Sequence, residues 1–404
     1  MTHPPVALTA AGFALVLGLA SPAASAQLSG NAVKIGFITD MSSLYADIDG
    51  KNGAEAVRMA IEDFGGKVLG KPIEFVSADH QNKADIAASK AREWFDQQGV
   101  DLVLGGTNSG TALAVSGVAA GKKRVYINVG AGSARLTNEE CTPYTVHYAY
   151  DTIALSKGTA SAILKQGGKS WFFLTADYAF GHSLEGDTSN VVKAQGGKVV
   201  GSVRHPLNAS DFSSFLLQAQ ASKAQILGLA NAGGDFVSAV KSAREFGITK
   251  SMKMAGLLVF LNDVHSLGLP TTQGLLMTDS WYWDTNNQTR QFARRFFEKT
   301  KKMPSSLQAA DYSATMTYLN AVKAAGTDDA DKVMEQLKKT PINDFYAKGQ
   351  IRKDGRFVHD MYLLQAKAPA ESKGPWDLLK RVATMPGAQV FATPAESKCA
   401  LMKS

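Results

Sequence analysis

The sequence predicts an α/β protein of two doubly wound parallel-sheet lobes joined by a three-segment hinge. Three observations carry that expectation. Short β-rich runs alternate with helical patterns from Val33 to Val129, the rhythm restarts near residue 150, and no low-complexity linker intervenes. Alternation of strand and helix implies parallel strands, since the chain must cross back over the sheet before it pairs again. A chain of 404 residues is also long enough for two domains.

Each element follows from its pattern. In the first half, strands are expected at 33–39, 73–78, 101–105 and 124–129. Helices are expected between them at 52–64, 83–98 and 109–120; Val57, Ala60, Ile61 and Phe64 share one face of the first, and Gly99 stops the second. In the second half, helices at 152–166, 182–195, 211–222 and 235–246 alternate with strands at 171–175, 198–203, 225–229 and 252–258. Gly167-Gly168 and Gly196-Gly197 end two of these helices, where the chain must turn toward the next strand. After an extended stretch at 274–281, helices are expected at 289–300, 306–325 and 330–339. A hairpin is expected from strands at 349–352 and 362–365 with a turn at Asp354-Gly355, and the Pro-, Ala- and Lys-rich tail from Ala368 is expected to wrap the surface. The chain would cross between lobes near 148–152, 278–283 and 345–358. That assigns 30–148 plus 282–345 to the first lobe, and 149–281 plus 346–404 to the second lobe and tail.

The N-terminus points to export. An almost unbroken apolar run at 6–20 precedes Ala24-Ser25-Ala26, which reads as a signal peptide over 1–26 cleaved after Ala26. The run is shorter than the roughly 20 residues of a membrane-spanning helix. No Cys follows it, so a mature protein free in the periplasm is expected. In an oxidising compartment the two cysteines, Cys141 and Cys399, would form a disulfide; the alternative is two buried thiols. The net charge of +7 is scattered, as in Lys122-Lys123-Arg124 and Arg294-Arg295, which argues against nucleic acid.

Several segments resemble the type I periplasmic binding proteins of the branched-chain amino acid transporter class. They are Lys34–Asp40 with Gly50, Gly53 and Ala56; Asp79, Gln81, Asn82 and Asp85; 101–106 with Ser109 and Thr111; 127–133 with Leu136-Thr137; and Asp177 with Phe180-Gly181 and 236–247. The resemblance implies a two-lobed receptor of an ABC importer. In it the Ser109 hydroxyl and amides near Gly110 and Thr111 hold a ligand carboxylate, with Gly130, Ala131 and Gly132 as a second loop. Ser109 opens a helix, where unpaired N–H groups and the helix dipole favour an anion; the competing reading is that Ser109 is only a helix cap. Asn231, after the strand at 225–229, joins the candidate set from the second lobe.

One departure from the family pattern matters. Amino acid binders of the family carry an acidic residue after the strand at 252–258, to pair with the ligand ammonium. Here 255–260 reads Ala-Gly-Leu-Leu-Val-Phe, with no acid until Asp263, so an ammonium would need Asp177 or Asp235 from elsewhere. Aromatic residues gather instead where the chain should cross the cleft: Tyr45, Tyr148, Tyr150, Phe180, Trp281, Tyr282 and Trp283. Such residues offer a flat apolar face to a ring or pack the hinge. With 42–45, 138–144 and 280–284 they resemble the branch that binds aromatic acids.

The expected function is therefore a binding protein that closes on a benzoate- or phenylpropanoid-type carboxylate. It would act as a monomer, deliver to an inner-membrane permease and need no cofactor or metal. The alternatives are an aliphatic amino acid or amide binder, a sensory receptor domain, and a periplasmic hydrolase using Ser183 or Ser109. Gly181-His182-Ser183-Leu184-Glu185-Gly186 misses the GxSxG spacing by one residue, and no phosphate-binding GK[ST] loop is present.

Overall fold

A computed structural model describes residues 1–5 and 28–403. The expected signal segment's apolar run and its cleavage position lie outside the described residues. The first half forms β1 (Val33–Thr39), α1 (Gly50–Asp63), β2 (Lys67–Val68), β3 (Lys71–Asp79), α2 (Ala84–Glu93), β4 (Leu102–Gly105), α3 (Ser109–Lys122), β5 (Val125–Asn128) and β6 (Thr145–His147). These strands make one sheet in the order β2-β3-β1-β4-β5-β6, parallel apart from the short β2–β3 pair. Phe37 and Ile35 face one core and Ile38 the other, as expected of a strand covered on both sides. Gly36 is fixed by packing, since a Cβ there would lie 2.5 Å from the Trp94 ring.

The second half repeats the plan with α4 (Thr152–Lys165), β7 (Ser170–Ala176), α5 (Ala179–Ala194), β8 (Lys198–His205), α6 (Ser213–Ala221), β9 (Ile226–Ala230), α7 (Gly233–Glu245), β10 (Lys253–Gly256), α8 (Leu261–Leu267) and α9 (Leu269–Thr272). Its parallel sheet runs β10-β9-β7-β8. The predicted α/β class with two doubly wound sheets is thus observed. Winding reverses between β1 and β4 in one sheet and between β7 and β9 in the other. Ligand crevices of such sheets open beyond the carboxyl ends of the strands at these reversal points.

The remaining chain is β11 (Leu276–Asp279), α10 (Asn287–Thr300), α11 (Ser306–Ala325), α12 (Ala330–Lys339), β12 (Ile342–Asn343), β13 (Lys348–Ile351), β14 (Phe357–His359), β15 (Met361–Ala366), β16 (Leu379–Met385) and α13 (Gly387–Val390). Helices α10 and α11 return to pack on α1 of the first lobe. Two expectations are corrected. The helix at 83–98 ends its α-helical part at Glu93 and finishes in a wider turn, Trp94–Gln98, before Gly99 at φ 65°. The partner of β13 is β14, while 361–366 joins β11 and β16 in an antiparallel sheet; the tail is therefore built into that sheet over 379–385. β13 packs on α12, and the Arg356 backbone bridges to that of His147.

Arg356 ties the crossovers together. Its fully buried guanidinium donates to the carbonyls of Tyr150 at 2.8 Å, Tyr148 at 2.5 Å and Phe357 at 3.1 Å, and lies 4.6 Å over the Phe391 ring. Cys141 and Cys399 form the expected disulfide, with Cα atoms 5.6 Å apart. The tail thus runs from the β15–β16 pair to the first lobe, past Lys157 of α4 and Arg352. Among the described residues no helix is long and apolar enough to cross a membrane.

Candidate ligand-binding cleft

The two sheets present their carboxyl-end loops to each other in a closed arrangement. Four contacts join the faces: Tyr45 and Tyr178 hydroxyls at 2.7 Å, Ser133 and Ser183 hydroxyls at 2.7 Å, Gly234 N–H to the Leu44 carbonyl at 3.1 Å, and Asn262 Nδ2 to the Asp47 carbonyl at 3.0 Å. Burial and the neighbouring acids Asp235 and Asp40 push the Tyr45 phenol well above its ordinary pKa, so it stays protonated as one half of the hydroxyl pair.

The first-lobe face is made of small residues and donors. Ser109 follows β4 at the winding reversal and is fully buried; its Oγ accepts from Ser133 N–H at 3.1 Å, which leaves its own O–H to donate. The helix cap is Asn108, not Ser109: Asn108 Oδ1 accepts from the amides of Gly110 at 2.8 Å and Thr111 at 3.1 Å. Those two amides, expected to hold the carboxylate, are therefore engaged by the cap in this closed form. The Gly130–Gly132 loop is held by Tyr150 Oη donating to the Gly130 carbonyl at 2.7 Å and by Asn128 Nδ2 donating to the Ala131 carbonyl at 2.8 Å. Two of its glycines are required by close approach. A Cβ at Gly130 would lie 2.9 Å from the Gly106 carbonyl, and one at Gly132 2.9 Å from Phe180 and 3.2 Å from Tyr150.

The second-lobe face is made of rings. Phe180 lies in the first turn of α5, with its ring centroid 6.0 Å from that of Tyr178. Phe260 lies 6.2 Å from Tyr150. Of the residues expected in the site, Tyr45, Ser109, Gly130, Ala131, Gly132, Tyr150 and Phe180 converge here. Asn231 directly follows β9 at the second winding reversal, with its Nδ2 3.1 Å from His205 Nε2. Trp281 and Tyr148 sit elsewhere. Trp281 packs edge-on against Phe292 and Phe345, and Tyr148 lies tilted against Phe357 with centroids 4.7 Å apart and bonds Ser313; both belong to the hinge core. Tyr178, Ser133 and Phe260 were not expected as site residues, and Ser183 was considered only as a nucleophile. Tyr178 lies inside the quoted Asp177–Gly181 motif, so its position was visible but its role was not.

Four acids bear on the choice of ligand. Asp235 is buried and accepts the Asn208 N–H at 3.2 Å, and burial pushes its carboxyl up to about 6. Asp177 is half exposed and pairs with His182 and Arg204. Asp263 is buried and caps α8 by accepting the Phe260 N–H at 2.9 Å; Asp279 accepts the Ser280 N–H at 2.7 Å. Burial, with no cation beside either, pushes both carboxyls up to about 7. Among the described residues neither hydroxyl proposed for hydrolysis is hydrogen-bonded to an imidazole: Ser183 pairs with Ser133, and Ser109 with the Ser133 amide. Among the described residues no group of three or more acidic, His or Cys side chains is arranged to hold a metal.

Comparison with known proteins agrees with this architecture. The profile of a family described as periplasmic binding protein matches residues 32–375. A curated relative, Leu/Ile/Val-binding protein homolog 6 of Brucella abortus, is 26% identical over 354 residues, covering 82% of this chain and 85% of its own. Among solved structures, a periplasmic binding protein from Burkholderia mallei is 71% identical with TM-score 0.91, covering 92% of this chain and 99% of its own. A branched chain amino acid ABC transporter periplasmic ligand-binding protein from Burkholderia xenovorans LB400 is 43% identical with TM-score 0.82, covering 92% and 100%. A solute binding protein of an ABC transporter from Rhodopseudomonas palustris BisB5, in complex with 3,4-dihydroxy benzoic acid, shares the fold at 21% identity and TM-score 0.80, covering 91% and 100%.

Proposed function

This chain belongs to the periplasmic binding protein family, and from that premise we propose that it is the receptor of an ABC importer that closes on a small aromatic carboxylate. The observation that carries the reading is the unlike make-up of the two faces. A hydroxyl donor and tight glycine loop at Ser109 and Gly130–Gly132 meet the rings of Tyr178, Phe180 and Phe260, with Tyr150 between them at the crossover and Tyr45 reaching over from the first lobe. A carboxylate suits the first and a planar ring the second. Burying that ring stabilises the closed form at roughly 25 cal/mol per Å² before ordering costs. Lobe closure around ligand, with hinge residues absorbing the motion, is the corresponding mechanism.

In this proposal the lobes divide at 148–149, at 281–282 and between β14 and β15. The protein works as a monomer that hands ligand to an inner-membrane permease, after cleavage behind Ala26. The family places the chain in the periplasm, and the Cys141–Cys399 disulfide suits an oxidising compartment.

A second reading, an amino acid ligand, is favoured by Asp279. Its carboxyl is buried, it is the foremost charged neighbour of Tyr150, and an ammonium would supply the cation it lacks. Thermal-shift screening of benzoate, hydroxybenzoates and hydroxycinnamates against leucine, isoleucine and valine separates the readings. Stabilisation by an aromatic acid alone supports the proposal; stabilisation by the amino acids alone replaces it with the second reading.

A further inference from the structure

Asn231 carries an acceptor that the protein leaves unused. The orientation of its amide is fixed by a short chain of hydrogen bonds. His205 Nδ1 lies 2.9 Å from the Pro206 carbonyl, which can only accept, so Nδ1 holds the proton. Burial lowers the His205 pKa, so the ring is neutral and its Nε2 is an acceptor. The Asn231 amide nitrogen, 3.1 Å away, is then the donor, and Oδ1 is the other end of the side chain. Asn231 has no solvent exposure, and its Oδ1 has no hydrogen-bond partner among the described residues. Buried polar atoms are ordinarily paired, so an orphan of fixed orientation needs a reason.

Its place in the fold supplies one. Asn231 is the residue after β9, at the reversal between β7 and β9 where the crevice of a doubly wound sheet opens. Two residues on, a Cβ at Gly233 would lie 2.6 Å from the Leu44 carbonyl and 2.9 Å from the Tyr45 ring. The segment therefore meets the first lobe directly, at Leu44 and Tyr45.

We propose that Asn231 Oδ1 accepts a hydrogen bond from the ligand, so that the preferred aromatic acid bears a hydroxyl donor on its ring, away from the carboxylate. The proposal rests on the aromatic carboxylate reading and narrows it. A site built to bond a hydroxyl rejects the analogue that lacks it, because the buried partner is left unpaired. A methoxy group fills similar space but cannot donate, so it tests donation apart from size.

The experiment is calorimetry on the mature, disulfide-bonded protein with benzoate, 4-hydroxybenzoate and 4-methoxybenzoate, and with the cinnamate series of the same substitutions. The wild type should bind a hydroxy acid about tenfold or more tighter than both its parent and its methoxy analogue. Asn231→Leu should bring the hydroxy acid to within about threefold of its parent, with parent affinity little changed. Asn231→Ala gives the same comparison without added bulk, and its binding of the parent acid reports an intact cleft. Aromatic acids that bind with no hydroxyl preference, or with a preference that survives both substitutions, overturn this inference alone. Failure of every aromatic acid to bind overturns the underlying reading and the inference with it.

Discussion

The two faces of the cleft are built on one plan and do opposite things. Both sit beyond the carboxyl ends of parallel strands at a winding reversal. The first-lobe face is backbone, glycine and hydroxyl: Ser109, Gly130, Gly132 and Ser133. The second-lobe face is side chain: Tyr178, Phe180, Asn231 and Phe260. The difference teaches that the shared architecture fixes where a ligand sits, while the residues on each face set what it must be. A donor-bearing face selects an anion, and a face of rings selects a flat apolar body.

The strongest perturbation should be to the strap that joins the faces from outside. Replacing both Cys141 and Cys399 by Ser removes a cross-link between residues 258 apart in sequence. Stability should fall by about 2–5 kcal/mol, read from the denaturant midpoint, because the unfolded chain regains freedom. Midpoints that coincide would show that the tail is held by its β16 pairing alone.

Next in size is the first-lobe donor. Ser109→Ala should weaken carboxylate binding by about 1.5–3 kcal/mol, the usual range for a hydrogen bond to a charged group. Since Asn108 is the cap, stability should change little. A loss of stability with unchanged affinity in calorimetry would return Ser109 to a packing role.

Behind that face lies a buried acid pair. Asp49 Oδ2 accepts from Thr39 Oγ1 at 2.5 Å, while Asp49 Oδ1 and both Asp311 carboxyl oxygens are buried with no hydrogen-bond partner among the described residues; both carboxyls lie against Gly53. Burial and their mutual repulsion raise Asp311 far above the ordinary carboxyl range, and burial raises Asp49. A carboxyl with a raised folded pKa favours the folded state in acid, and that advantage is lost as pH climbs from the unfolded value near 4. Asp311→Asn removes one of the two raised carboxyls. The variant should therefore gain on wild type above pH 4, by at most about 1.4 kcal/mol per pH unit until the wild-type pair titrates. Parallel stability–pH curves would contradict the raised pKa of the pair.

The smallest effect should be at the contact between faces. Tyr178→Phe removes the hydroxyl pair with Tyr45 but keeps the ring, and should cost about 0.5–1.5 kcal/mol of closure. The check is ligand affinity, with dissociation faster and association unchanged. A fall of tenfold or more in the association rate would assign Tyr178 to ligand capture instead.

Much of this was legible in the chain. Helical periodicity located 289–300, 306–325 and 330–339 to within two residues, because each is long and amphipathic or closely capped. The family resemblance pointed to the Gly130–Gly132 loop, but the close approach that requires its glycines shows only in the fold. Other features hid. Leu379–Met385 lies in a tail whose composition reads as loop, and it becomes a strand only because β15 offers an open edge. The aromatic residues were visible, but nothing in spacing distinguishes Trp281, packed on Phe292, from Phe180, set against Gly132. The capping role of Asn108 was written in the sequence as Asn-Ser-Gly-Thr, one residue before the serine that drew attention.

The measurement that tests the account most directly is the crystal structure of the protein with 4-hydroxybenzoate at the lobe interface. The account predicts a carboxylate within hydrogen-bond reach of Ser109 Oγ and a ring lying against Phe180 and Tyr150. A ligand whose carboxylate lies away from Ser109, or a cleft that takes up leucine with its ammonium on Asp279 and excludes the aromatic acid, would contradict it.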